Sequence, residues 1–492
     1  MSAATSGPGT QDLCYLPATE ALRLFKTRDL SPVELLGAVI DRAEAVEPVV
    51  NALADTYFDQ AFDAARTAEA SYMGKGEPPK ALTGIPVAIK EETAIEGLPL
   101  QLGSLAHKDD VADHTAVVAE RILTAGAIMH ARTTTPEFSC VPFTHTRLWG
   151  VTRNPWNPEY GVGGSSGGAG ASLASGTTTL ASGSDIGGSI RIPASFNGVV
   201  GFKPPFGRVP EEAPFNLDQY CHEGPLARTV ADCALLQNVI AGPDTRDLVC
   251  VAPKLEIPER LEGIEGMRIA FCAAPGDFVL DEEVARNTAA AADAFREAGA
   301  VVEEVELPVK RRDVWVALGV HFAAVFAAII TSEDEAHPGL LTPYARATAE
   351  ACRDVASHCS FAEGLFLESG IMAAIGAVLE RHEVLVLPAV CTRGLIAGDD
   401  YTDPALTVGG VELAHYAEAV LTLTMFNVAS RCPVMAVPSG FAGNGVPTGL
   451  QIAGRPYDDV TVFRAAAAYE RVRPWLDSPD RRPMPAEVLQ RG

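Results

Sequence analysis

Two tracts of this sequence set glycine beside serine: Gly163-Gly164-Ser165-Ser166-Gly167-Gly168, and Gly183-Ser184-Asp185-Ile186-Gly187-Gly188-Ser189-Ile190-Arg191. Glycine lets main-chain N–H groups come close to a ligand, and consecutive N–H groups form a concave nest for negative charge. The amides of Ile186, Gly187, Gly188 and Ser189 are therefore candidates to hold a developing oxyanion beside an attacking hydroxyl. Asp185 and Arg191 bracket the same loop with opposite charges, and a structural ion pair is the expected role for them.

A serine hydroxyl needs a base. The ten histidines sit in unremarkable contexts. Lys90, by contrast, ends a short apolar, turn-bounded run (LTGIPVAI, residues 82–89) that reads as a strand buried on both faces. Burial disfavours an ammonium ion, and Ser-Lys pairing is one of the known variants of the catalytic triad. A strand-end lysine at the surface satisfies the same spacing. Two other motifs compete for these residues. Gly163-Gly164-Ser165-Ser166-Gly167 also meets the G-x-S-x-G elbow, which makes Ser165 the nucleophile of an esterase with a late histidine such as His415, but leaves the second Gly/Ser tract without a purpose. Val87-Ala88-Ile89-Lys90 copies a kinase strand motif, yet no phosphate-binding glycine loop precedes it and neither HRD nor DFG follows, which excludes a kinase.

With these residues in view, the sequence resembles the amidase signature family. The matching pieces are GIPVAIK (84–90), TRNPWNP (152–158), the GGSSGG and DIGGSIRIPA segments, GFKPPFGRVP (201–210), Phe426-Asn427-Val428 with Pro433, and GLQIAGRPYDD (449–459). The resemblance implies that Ser189 is the nucleophile, Ser165 a bridging serine on a cis peptide bond and Lys90 the base. It places the oxyanion hole on Ile186, Gly187, Gly188 and Ser189, and a substrate-orienting loop carbonyl on Ser139. It implies an acyl-enzyme hydrolase acting on a small-molecule amide, anilide or carbamate, with no cofactor and no metal. It also admits the A-type component of a partner-dependent amidotransferase. The sequence departs from the family pattern at Tyr160-Gly161-Val162 and Arg431-Cys432, which bear on substrate class and not on the relay.

The elements that must position these groups follow from pattern. Ser31, Pro32 and Glu34 spell an N-cap, a first-turn proline and a capping box, so a helix starts there. Residues 115–132 read as a helix and a strand, and the βα alternation continues to about residue 240. The Gly/Ser-rich stretch 161–201 carries Leu173, Leu180, Ile186, Ile190 and Ile192, too much apolar surface for a linker. A strand, helix and strand follow over 260–310, a strand over 384–390, and a last βα unit with a closing helix near 460–473. The expected fold is α/β, a large mixed, twisted sheet flanked on both faces by helices. It forms one domain over 1–492, with an N-terminal helical region (10–80), a signature core (81–240) and a helical insertion (310–380) that shapes the substrate pocket near Trp315, Phe322 and Phe326.

Composition bounds the rest. A net charge of −25 without a Lys/Arg stripe argues against nucleic acid. The first ten residues lack a basic, apolar leader. The apolar run at 322–330, taken as the longest, is about half the ~20 residues of a membrane span. Ten singly scattered cysteines lack zinc or disulfide spacing and are expected to be reduced and mostly buried, which favours the cytoplasm. A homodimer is the default assembly. A pure scaffold is the blandest alternative, and gives the glycine nests nothing to do.

Overall fold

The computed structural model describes residues 10–402 and 406–483. Eleven strands form one sheet: β1 (Leu53–Thr56), β2 (Pro86–Lys90), β3 (Ile128–Thr133), β4 (Leu180–Ser184), β5 (Val200–Lys203), β6 (Glu223–Ala227), β7 (Arg268–Phe271), β8 (Val301–Glu304), β9 (Val384–Pro388), β10 (Val434–Phe441) and β11 (Pro447–Gly454). Their order is β1-β3-β2-β4-β6-β5-β10-β11-β9-β7-β8. The sheet is mixed: β2 runs parallel to β3 and β4, while β4 pairs antiparallel with β6. At the other end β9 is parallel to β7 and antiparallel to β11. Alternate residues of β9 enter different cores, Val384 and Val386 on one face, Leu385 and Leu387 on the other. Both faces are thus covered, which is why the central strands read as unbroken apolar runs.

The helix Pro32–Val50 opens with the capping box, Glu34 N donating to Ser31 Oγ at 3.1 Å and Ser31 N to Glu34 Oε2 at 2.8 Å. The Gly/Ser-rich stretch folds into the buried helix Gly167–Ser175, β4, the short helix Arg191–Asn197 and β5. Glycine is required at 164 because a Cβ there would lie 2.6 Å from the Phe143 carbonyl oxygen and 2.7 Å from its nitrogen. The C-terminal sheet elements correct the expected βα unit. β10 and β11 form an antiparallel hairpin, its turn closed by Ala442 N donating to Val446 O at 3.0 Å, and the helix Asp459–Val472 follows. Gly443-Asn444-Gly445 supplies the tight reversal that a crossover helix would otherwise provide.

Four helices, Arg311–Ala324, Phe326–Ala336, Pro343–His358 and Phe361–Leu379, make up the insertion, and the first packs on the helix Leu421–Val428. The apolar stretch 322–330 is broken at Val325, where the first two helices meet at 44°. The longer apolar helix is Phe361–Leu379, 19 residues with a mean hydropathy of 1.5, long and apolar enough by length and composition to cross a bilayer. Glu363 and Glu368 interrupt its apolar run in the sequence. Glu368 turns inward, where its carboxylate accepts from Tyr220 Oη at 2.9 Å. Among the described residues no cysteine forms a disulfide, and seven of the ten are buried.

Candidate active site

Lys90 closes β2 with no solvent exposure. Its Nζ donates to Ser165 Oγ at 2.7 Å and to Ser184 Oγ at 2.9 Å, and pairs with Glu92 Oε1 at 2.8 Å. The parallel pairing of β2 with β4 brings these chains together, and Lys90 N donates to Ser182 Oγ at 3.3 Å. Ser165 precedes the helix Gly167–Ser175 and follows a cis Gly164–Ser165 peptide.

Ser189 sits in the turn between β4 and the helix Arg191–Asn197, where Ser166 N donates to its carbonyl at 3.1 Å. Lys90 and Ser165 are thus in direct contact, and Ser189 occupies the adjoining turn. Among the described residues no hydrogen bond joins the Ser165 and Ser189 hydroxyls, and Ser189 Oγ borders the cleft without a protein partner. No histidine hydrogen-bonds to either hydroxyl among the described residues.

The turn is shaped from beneath. Asp185 accepts from Gly188 N at 2.9 Å, Ile190 N at 3.2 Å, Arg191 Nε at 2.9 Å and Asn427 Nδ2 at 2.9 Å. Burial works against its charge, but the Arg191 guanidinium and hydrogen bonds from Arg191 and Asn427 hold the carboxyl well below the usual carboxylate range. Gly188, at φ +123°, turns its amide to Asp185. The amides of Ile186, Gly187 and Ser189 have no protein acceptor among the described residues, and all three residues line the cleft while Gly188 does not.

Ser139 adopts a left-handed conformation (φ 54°) and lines the cleft. Its Oγ hydrogen-bonds to Thr135 Oγ1 at 2.7 Å and donates to Glu92, and its carbonyl accepts nothing from the described residues. Glu92, which sequence inspection missed, is the hub of this network, taking hydrogen bonds from Ser139 and Ser184 as well as pairing with Lys90. Burial disfavours its charge, yet Lys90 and these hydrogen bonds hold its carboxyl below the ordinary range. The sequence holds one signal for it, a carboxylate two residues past the strand-end lysine, brought back by the turn that Thr93 N closes on Lys90 O at 3.1 Å.

The cleft holds about 640 Å³, open mouth included, and its walls are apolar: Ile192, Trp315, Leu318, Phe322, Val420 and Leu421. The expected Trp315 and Phe322 are there, whereas Phe326 packs into the core against Phe215. His415 lies on the Trp315 ring at 4.6 Å and is pushed down to about 4 by burial, so it stands as a neutral ring in the wall, away from Ser165. A second buried lysine, Lys203, is pushed down to about 7 by burial, but its Nζ meets the carbonyls of Pro204, Ser430 and Cys432 and no hydroxyl.

A family model described as Amidase matches residues 34–463. The chain belongs to this family, the amidase signature enzymes. It is 33% identical to an acylamidase of Rhodococcus erythropolis, over 95% of this chain and 97% of that protein. It is 31% identical to the A component of the glutamyl-tRNA(Gln) amidotransferase of Carboxydothermus hydrogenoformans, over 94% of this chain and 98% of that protein. Among solved structures, a bacterial aryl acylamidase of the amidase signature family superposes with a TM-score of 0.86 at 29% identity, covering 96% of this chain and 99% of that one. A 6-aminohexanoate cyclic dimer hydrolase superposes at 0.81 and 27% identity, covering 96% and 99%. The expected large mixed sheet is therefore the amidase signature fold, and this amidase is a hydrolase of carbon–nitrogen bonds other than peptide bonds.

Proposed function

We propose that this amidase cleaves a small-molecule carboxylic amide or carbamate with an apolar group beside the carbonyl, through an acyl-enzyme on Ser189. Ser189 Oγ attacks the carbonyl carbon, its proton passes to Ser165 and the Ser165 proton to the uncharged Lys90 amine. The carbonyl oxygen takes the negative charge opposite the free amides of Ile186, Gly187 and Ser189. The C–N bond breaks as the amine leaves with the proton returned through Ser165. Water then adds to the acyl carbon, giving its proton to the same relay, and Ser189 is released with the acid.

The observation that carries this reading is the buried 2.7 Å contact of Lys90 Nζ with Ser165 Oγ, beside the turn of Ser189, whose hydroxyl has no protein partner among the described residues. Apolar walls built on Trp315, Leu318 and Phe322 suit an aryl or alkyl acyl group. The kinship to the amidotransferase component supports a second reading, release of ammonia for a partner. The cleft favours the first, because a glutamine side chain would bring its polar amide against walls that offer few hydrogen bonds. A panel of chromogenic anilides, amides and carbamates, turned over by the purified chain and not by Ser189→Ala, tests the proposal. Silence on every member without a partner protein would favour the second reading.

A further inference from the structure

The helix Phe361–Leu379 presents an outer face unlike that of a surface helix. Phe361, Leu365, Phe366, Met372, Ala373, Gly376 and Ala377 are exposed, Phe366 at 79%, and Glu363 is the single charge among them. Solvent-facing helix positions ordinarily carry charged residues, and a contiguous uncharged patch marks an interaction surface. The glycines point the same way. Gly370 and Gly376 each cost about 1 kcal/mol against alanine inside a helix. Yet a Cβ at either would meet nothing within 4 Å, so packing within the chain does not demand them.

The face is graded along its length. Its first half carries the bulky Phe361, Leu365 and Phe366, its second half the small Ala373, Gly376 and Ala377. Beside the small half lies an open groove of about 780 Å³, lined by Met372, Gly376 and Leu379 together with the charged Glu380, Arg431 and Arg455. Knobs at one end and a groove at the other make the surface complementary to its own copy under a two-fold axis.

We propose that this helix is the interface of a homodimer, two copies crossing antiparallel near Met372. Phe366 of each copy seats over Gly376 and Ala377 of the other, at the mouth of the groove. The same crossing sets Glu363 beside Arg381 of the second copy. Arg381 is exposed just past the helix end and makes no ion pair among the described residues. On a chain of charge −25 an uncharged stripe is also where two copies repel least. A lipid surface fits less well, because the helix carries no lysine or arginine to meet headgroups.

The test is the mass of the full chain in solution by light scattering at micromolar concentrations. Wild type is expected at twice 51.8 kDa. Phe366→Asp, a change at an exposed site outside the cleft lining, is expected to give the monomer mass with undiminished turnover of a chromogenic amide. Met372→Cys, close to the axis, is expected to cross-link to itself on oxidation where wild type does not. A monomeric wild type, a dimer that survives Phe366→Asp, or a dimer without the Met372→Cys cross-link overturns the proposal. Wild type that stays monomeric and sediments with phosphatidylcholine vesicles would assign the face to lipid and overturn it equally.

Discussion

Asp185 and Arg191 form a doubly hydrogen-bonded ion pair without solvent exposure, Nε to Oδ2 at 2.9 Å and Nη2 to Oδ1 at 2.8 Å, directly beneath the turn that carries Ser189. Arg191 also donates to Asn427 Oδ1 and the Leu423 carbonyl, tying the turn to the helix Leu421–Val428. Removing one partner strands a buried charge, at a cost of about 3–5 kcal/mol. Asp185→Asn is therefore expected to lower the free energy of unfolding by that order and to reduce kcat/KM together with it. A variant with wild-type stability would show that the pair does not hold the turn.

The proposed relay ends on Lys90, whose Nζ touches Ser165 Oγ at 2.7 Å. Lys90→Met, which keeps volume and removes the amine, is expected to lose about 10²- to 10⁴-fold in kcat, the usual worth of a positioned base. Wild-type kcat in Lys90→Met would contradict the relay.

Trp315 supplies one wall of the cleft and lies against His415. An aromatic contact is worth about 0.5–1.5 kcal/mol beyond the area it buries. Trp315→Ala is expected to raise KM for aryl substrates by about tenfold while leaving kcat on a small aliphatic amide nearly unchanged. Equal losses on both substrates would place Trp315 in the scaffold only.

Much of this site was legible as residue types. Two Gly/Ser tracts and a lysine at the end of an apolar strand mark the residues that the proposed chemistry uses, because nests and buried amines need those residues locally. The partners that arrive through the sheet were not. Glu92 gains its role only when β4 brings Ser184 beside it, and Asn427 reaches Asp185 from 242 residues away. Gly188 shows the limit of motif reading: its amide belongs to the same glycine run as its neighbours, but Asp185 claims it. The helix Phe361–Leu379 escaped because its two glutamates look alike in sequence, while one caps the helix and the other turns into the core.

Glu47 gives a pH dependence of stability. Burial pushes its carboxyl from the ordinary 4.5 up to about 7, while its Oε2 accepts from Ala52 N at 2.7 Å and Leu53 N at 3.0 Å. A folded-state value above the unfolded one means the neutral acid is the form the fold prefers. The stability it supports is complete below the ordinary value and is lost as pH climbs through about 7. Tm is expected to decline over that interval, and Glu47→Gln, which keeps the acceptor without the charge, to flatten the decline. An unchanged slope would remove Glu47 from the cause.

The most direct measurement is the mass and position of the acyl group on the enzyme quenched during turnover of a slowly hydrolysed aryl amide. The account predicts an adduct on the peptide bearing Ser189, absent in Ser189→Ala and formed more slowly in Ser165→Ala. An adduct on Ser165, or unimpaired turnover by Ser189→Ala, would contradict it.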